Sequence, residues 1–143
     1  LYQLQIMTIT TIYNAVALGT TSEASNGSPT KTVLQAGTTA VILNAKLTNG
    51  DNTNKSTGIP GQSTMLDVRY AIAPFALTAD TSLPSLLKNS AGKLELHVDR
   101  SSGGVTIDNT GLIANNGGNL YTWFNSPALS AGATITLTSV ELP

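Results

Sequence analysis

Apolar and polar residues alternate along most of this chain, in short stretches separated by Asn, Gly and Ser. Period two places successive side chains on opposite faces of an extended strand, so each stretch has one face to bury and one to show. Thr39–Thr48 (TAVILNAKLT) sets Val41, Leu43, Ala45 and Leu47 on one face. Thr64–Ala73 (TMLDVRYAIA) sets Leu66, Val68, Tyr70 and Ile72 against Asp67 and Arg69. Lys93–Asp99 (KLELHVD) alternates throughout. A helix-period pattern is absent from these runs, and strands are the expectation.

The remaining segments fill in the pattern. In Tyr2–Leu18 the even positions Tyr2, Leu4, Ile6, Ile12, Val16 and Leu18 are apolar, with Met7 and Ile9 on the other face; this fits one bent strand or two strands joined by a bulge. Thr32–Gln35 predicts a short strand. Val105–Ile107 and Leu112–Ala114 predict strand fragments around Asp108–Gly111. Leu120–Asn125 (LYTWFN) and Ala133–Leu142 (ATITLTSVEL) predict the last strands, with Ile135, Leu137 and Val140 facing in. Thr20–Thr30, Asn49–Ser63 and Asn115–Asn119 carry Asn-Gly, Gly-Gly and Pro signals and predict loops. One short helix is expected, at Ser82–Asn89, with Thr81 or Ser82 as cap and Pro84 in the first turn.

Eight or nine strands with almost no helix between them require antiparallel pairing, since parallel crossovers need long connections. The expected fold is one all-β domain over residues 1–143, an antiparallel β-sandwich of jelly-roll type with at most one short helix. At 143 residues the chain is long enough for a core without metal or disulfide support.

Composition narrows the function classes. Only 10% of residues are charged, and the formal net charge is −1. No basic stripe is available to neutralise phosphates, which argues against direct nucleic-acid binding. No run approaches the roughly 18 apolar residues of a membrane span, and Leu1–Leu18 lacks the basic region expected of a signal peptide. With no cysteine there is no thiolate nucleophile and no Cys-based zinc site. A weakly charged surface suits subunit interfaces, whose cores are depleted of charge.

The catalytic motifs fail one by one. Glu95-x-His97-x-Asp99 puts three polar groups on one strand face, but alternate residues stand roughly 6.6–7 Å apart, too far for easy shared coordination; the solvent face of an amphipathic strand explains them. Asp67 and Arg69 are read the same way, as an exposed pair contributing about 0–1 kcal/mol. Asp51–Lys55 resembles a calcium loop, yet Lys55 stands where an oxygen ligand belongs and Gln62 where a bidentate Glu should be. Gly61-Gln62-Ser63-Thr64-Met65 lacks the closing Gly of a nucleophile elbow. Ser101-Ser102-Gly103-Gly104 lacks the Lys of a phosphate loop. The sequence therefore predicts no catalytic residue, cofactor or metal.

Lys31–Thr48 (KTVLQAGTTAVILNAKLT) and Leu120–Pro143 (LYTWFNSPALSAGATITLTSVELP), about a third of the chain, resemble the small β-sandwich structural proteins of tailed bacteriophages. The group includes capsid decoration (cement) proteins. The resemblance implies a non-enzymatic component of the virion, on the outer surface of the capsid, commonly trimeric and bound to the major capsid protein. It carries no invariant residue to transfer. Tyr2, Leu4, Ile6 and Met7, within a candidate arm Leu1–Thr11, are expected partner contacts, because a terminal strand can pair with a neighbour's sheet edge; an edge strand of the chain's own sheet is the other reading. Tyr121 and Trp123 share one strand face, and form either a ligand platform or core. The alternative function is a receptor- or carbohydrate-binding module of a tail fibre, spike or secreted protein, which requires Tyr121 or Trp123 exposed beside Asn115–Asn119.

Overall fold

The computed structural model describes residues 7–17, 30–50, 64–73, 92–98, 105–115, 117–125 and 133–143. Among them are eight strands: β1 (Thr8–Ala17), β2 (Thr30–Thr32), β3 (Ala40–Gly50), β4 (Thr64–Ala73), β5 (Gly92–Val98), β6 (Val105–Ala114), β7 (Asn119–Asn125) and β8 (Thr134–Leu142). They form two four-stranded antiparallel sheets, β1-β8-β3-β6 and β2-β7-β4-β5. The helix expected at Ser82–Asn89 lies outside the described residues.

The pairing follows one rule. β1 pairs with β8, β2 with β7, β3 with β6 and β4 with β5, all antiparallel. This is a long two-stranded ribbon whose turning point lies between β4 and β5. Rolling the ribbon on itself adds the contacts of β3 with β8 and of β4 with β7. The result is the jelly roll that the alternation predicted.

Burial follows the pleat. Val41, Leu43, Ala45 and Leu47 of β3 and Ile135 and Leu137 of β8 face Leu66 and Val68 of β4, Leu94 and Leu96 of β5, and Leu120 and Phe124 of β7 in one buried core. Strict alternation from Ile135 puts Ser139 and Glu141 on the inner side and Val140 on the outer one. The sequence expectation that Val140 faces in is therefore corrected: no bulge intervenes in the β3–β8 ladder to change its parity. The two fragments expected at Val105–Ile107 and Leu112–Ala114 are one strand, because Asp108 to Gly111 stay in register with β3. The short strand expected at Thr32–Gln35 lies at Thr30–Thr32.

β1 is an edge strand of the first sheet, and its register with β8 shifts twice. Ile12 and Tyr13 together stand opposite Leu137, then Asn14 and Ala15 opposite Thr136. Ala15 has φ +48° and its N–H donates to Thr136 Oγ1 at 3.0 Å. An extra residue reverses which parity faces inward, so Ile9 points out while Tyr13 and Val16 pack on the core. Over its described part, Thr8–Ala17, the segment read as one bent strand or two joined by a bulge is one strand with two register shifts, and Tyr2–Ile6 and Leu18 lie outside the described residues.

Specific contacts close the two sheets on each other. Tyr13 of β1 crosses the core to β7: its hydroxyl donates to the Thr122 carbonyl at 2.8 Å and lies 3.2 Å from Thr122 Oγ1. Its ring meets Phe124 edge-on at 5.4 Å, a favoured aromatic geometry. On the opposite side, Asn109 Nδ2 of β6 donates to the Glu95 carbonyl of β5 at 3.0 Å. Gly111 permits that approach, since a Cβ there would meet Leu94 Cδ2 at 2.9 Å.

Replacing Tyr13 by Phe keeps the ring and removes the hydrogen bond to Thr122, and should lower the unfolding free energy by about 1 kcal/mol. Tyr13→Ala also empties a core site and should cost about 3–5 kcal/mol. Urea denaturation of the three proteins measures both steps; a Tyr13→Phe protein as stable as the parent would show that the hydroxyl contributes nothing.

Candidate functional site

The sandwich has two outer faces, and they differ in chemistry. On the second sheet, β5 presents Lys93, Glu95 and His97 to solvent, next to Asp67 and Arg69 of β4. His97 Nε2 and Glu95 Oε2 are 3.6 Å apart on exposed side chains, as expected for a solvent face. Asp99 lies outside the described residues, as do the segments at Asp51–Lys55 and Ser101–Gly104. Among the described residues no three His, Asp or Glu side chains group as a metal site would. Arg69 and Asp67 are 3.7 Å apart. The expectation of an exposed pair is corrected, because Asp67 is buried and Arg69 stands directly opposite Trp123 on β7.

Tyr121 and Trp123 sit on this outer face, since Leu120, Thr122 and Phe124 occupy the inner one. They are nevertheless 0% and 1% exposed and form a second buried cluster with Ala73, against which Ala71 packs. Neither is available as a ring platform or partner anchor, which corrects their assignment as partner contacts. The Asn115–Asn119 turn expected to flank them is present in part: Asn115 Oδ1 accepts from the N–H groups of Gly117 and Gly118 at 2.9 and 3.1 Å, with Gly117 at φ +94°. Gly118 lies so close to β4 that a Cβ would meet the Ala73 carbonyl at 2.7 Å.

The outer face of the first sheet is built differently. The registers align Ile9 of β1 with Val140 of β8, Val140 with Ile42 of β3, and Ile42 with Leu112 of β6. One apolar row thus crosses all four strands. Its two ends, Ile9 and Leu112, are 72% and 69% exposed. Beside it, Leu142, Ala40 and Ala114 form the next rung, and Met7, 57% exposed, immediately precedes β1 at the same end.

Away from this end the face turns to hydroxyls and amides. Thr11, Thr138, Asn44 and Thr110 make the following rung, with Asn44 Nδ2 donating to Thr110 Oγ1 at 2.8 Å. Lys46 and Asp108, opposite each other, carry the charges of the next rung, where Thr136 is the β8 member. An exposed apolar row on a face whose described charges are one Lys and one Asp is the kind of surface that marks association.

Of the residues expected to contact a partner, Met7 belongs to this face. Tyr2, Leu4 and Ile6 lie outside the described residues, and Thr8–Thr11 of the expected arm are an edge strand of the chain's own sheet. Ile42, Leu112 and Val140 of the row, and Ile9 by itself, are not among the residues the sequence singles out as partner contacts. The sequence signal for the first two is the apolar doublet, Val41-Ile42 and Leu112-Ile113: in a strand, one member of such a pair must point away from the core. No protein-family model, curated protein or solved structure matches the chain.

Trp123→Ala should destabilise the fold by about 3–5 kcal/mol, as loss of a buried aromatic does. Thermal unfolding followed by circular dichroism checks it; a variant of unchanged stability would mean that Trp123 is not packed.

Proposed function

We propose that this chain is a non-enzymatic structural subunit of a virus particle, which acts by packing against other coat subunits. The observation that carries the reading is the weakly charged outer face of the first sheet, with its apolar row Ile9–Val140–Ile42–Leu112. A surface of this kind gains free energy from leaving water, and little of it is charged and costly to desolvate. The jelly roll supports the reading by fold-level analogy, because the same rolled ribbon recurs in viral capsid domains.

Within that class, the resemblance of Lys31–Thr48 and Leu120–Pro143 to decoration proteins favours a cement role on the capsid's outer surface, with the major capsid protein as partner. Contacts of modest area repeated over a lattice would then add by multivalency. The topology favours a second reading, a subunit of the shell itself, since capsid shells are built from such sandwiches. The trimer implied by the resemblance is one assembly state, and the row geometry argues for a pairwise one, developed below. The glycan-binding alternative loses the exposed rings it required, because Tyr121 and Trp123 are buried.

Mass spectrometry of density-banded particles should find the chain at a fixed, high copy number relative to the major shell protein. A chain confined to the soluble fraction would contradict the proposal. Selective stripping by mild denaturant that leaves shells intact would identify the cement role; collapse of the shell together with the chain would identify the shell subunit.

A further inference from the structure

We propose that the occupant of this face is a second copy of the same chain, packed sheet to sheet about a two-fold axis parallel to the strands. The inference rests on the adhesive reading above and names its partner. Three features of the face support it.

The first is the symmetry of the row itself. It reads Ile9, Val140, Ile42, Leu112 from edge to edge, with the two exposed residues at the ends and the two half-buried ones in the middle. A two-fold axis along the strands exchanges the edges: β1 lies over the partner's β6, and β8 over its β3. Ile9 then meets a second Leu112, and Val140 a second Ile42. The Thr138–Asn44 rung likewise falls on itself, so apolar matches apolar and polar matches polar over the whole face. An in-plane axis across the strands would either set the apolar end against the hydroxyl end or reduce the overlap to a strip.

The second is charge. Lys46 and Asp108 are the charged residues on the described outer face, and they cancel. Two copies therefore approach without net repulsion, whereas the other sheet presents Lys93, Glu95 and His97.

The third is size. Four strands about 4.8 Å apart and eight residue steps of about 3.4 Å give a face of roughly 19 by 27 Å, or about 500 Å² in projection. Two such faces remove about 1,000 Å² of projected area, and more of accessible area because the surface is pleated; that reaches the roughly 1,000 Å² expected of a specific interface. Face-to-face sheets separated by about 10 Å are an established packing.

Sedimentation velocity of the full chain over a concentration series should show a monomer–dimer equilibrium. Leu112→Lys should weaken it on the order of a hundredfold, since two symmetric apolar contacts are lost per dimer. Val33→Lys, at an exposed apolar residue outside the row, should leave it unchanged, and circular dichroism confirms that both variants fold. The axis is tested separately. The chain has no cysteine, so Ile9→Cys and Leu112→Cys proteins, mixed and treated with a short bis-maleimide, should yield a cross-linked heterodimer, while Ile9→Cys alone should not cross-link to itself.

A monomer at every concentration, a trimer indifferent to Leu112→Lys, or self-cross-linking of Ile9→Cys would overturn the proposal. These outcomes are separable from failure of the particle reading. A chain that is monomeric in solution but present in banded particles sinks the dimer alone. A dimer never found in particles sinks the particle reading alone.

Discussion

The register of β8 against β3 is the constraint on which the rest of the molecule depends. β8 is the last strand in the described chain, yet it lies inside the first sheet between β1 and β3. Its ladder runs unbroken from Thr48↔Thr134 to Ala40↔Leu142. A slip of one residue would exchange its two faces: Thr134, Thr136 and Thr138 would enter the core, and Ile135 and Leu137 would leave it. The same register sets Glu141 inward, where Oε1 accepts from the Gln35 N–H at 2.6 Å and from the Thr38 hydroxyl at 3.2 Å. It also lets the Leu142 carbonyl accept from the Thr39 N–H at 2.9 Å. One strand therefore seats the core, anchors the turn that leads into β3, and completes the outer apolar row.

Two forces shape the two outer faces. On the second sheet, Tyr121 and Trp123 bury large aromatic areas on the side away from the main core, and Asp67 is drawn into the buried set beside them. Burial of that kind stabilises the domain and removes the rings from use in binding. On the first sheet, Ile9 and Leu112 leave apolar area in water, a cost to the isolated chain that the proposed association would offset. Adhesion in the proposed sense follows from this asymmetry: one side of the sandwich has spent its apolar residues on stability, and the other has them to contribute to a partner.

Much of the fold was legible because alternation reports burial directly. β4 is bounded at Thr64–Ala73 as the alternation predicts, and the inward residues of β3 and β4 follow from period two alone. Other features were hidden for physical reasons. Asp108, Asn109, Thr110 and Gly111 look like a turn by composition, but Asn109 is spent on the Glu95 carbonyl and Gly111 on clearance for Leu94, so the strand continues through them. The flanking apolar residue Val140 was assigned by hydrophobicity, whereas parity from Ile135 decides it. The burial of Tyr121 and Trp123 depends on what lies over an outer face, which a local pattern does not encode. The candidate surface was hardest to see, because its row draws one residue from each of four strands far apart in sequence; only the registers bring them into line.

One outer face of the sandwich buries its aromatic residues, Tyr121 and Trp123, and the other leaves Ile9 and Leu112 in water. Hydroxyl-radical footprinting read out by mass spectrometry addresses both in one experiment, at a dilution where copies are apart. Fast oxidation is expected at Met7, Ile9 and Leu112, with protection of Trp123, the chain's single tryptophan, until the protein unfolds. Oxidation of Trp123 in the folded chain at the rate of Met7, or protection of Ile9 and Leu112 in the dilute monomer, would show that the two faces do not differ in this way.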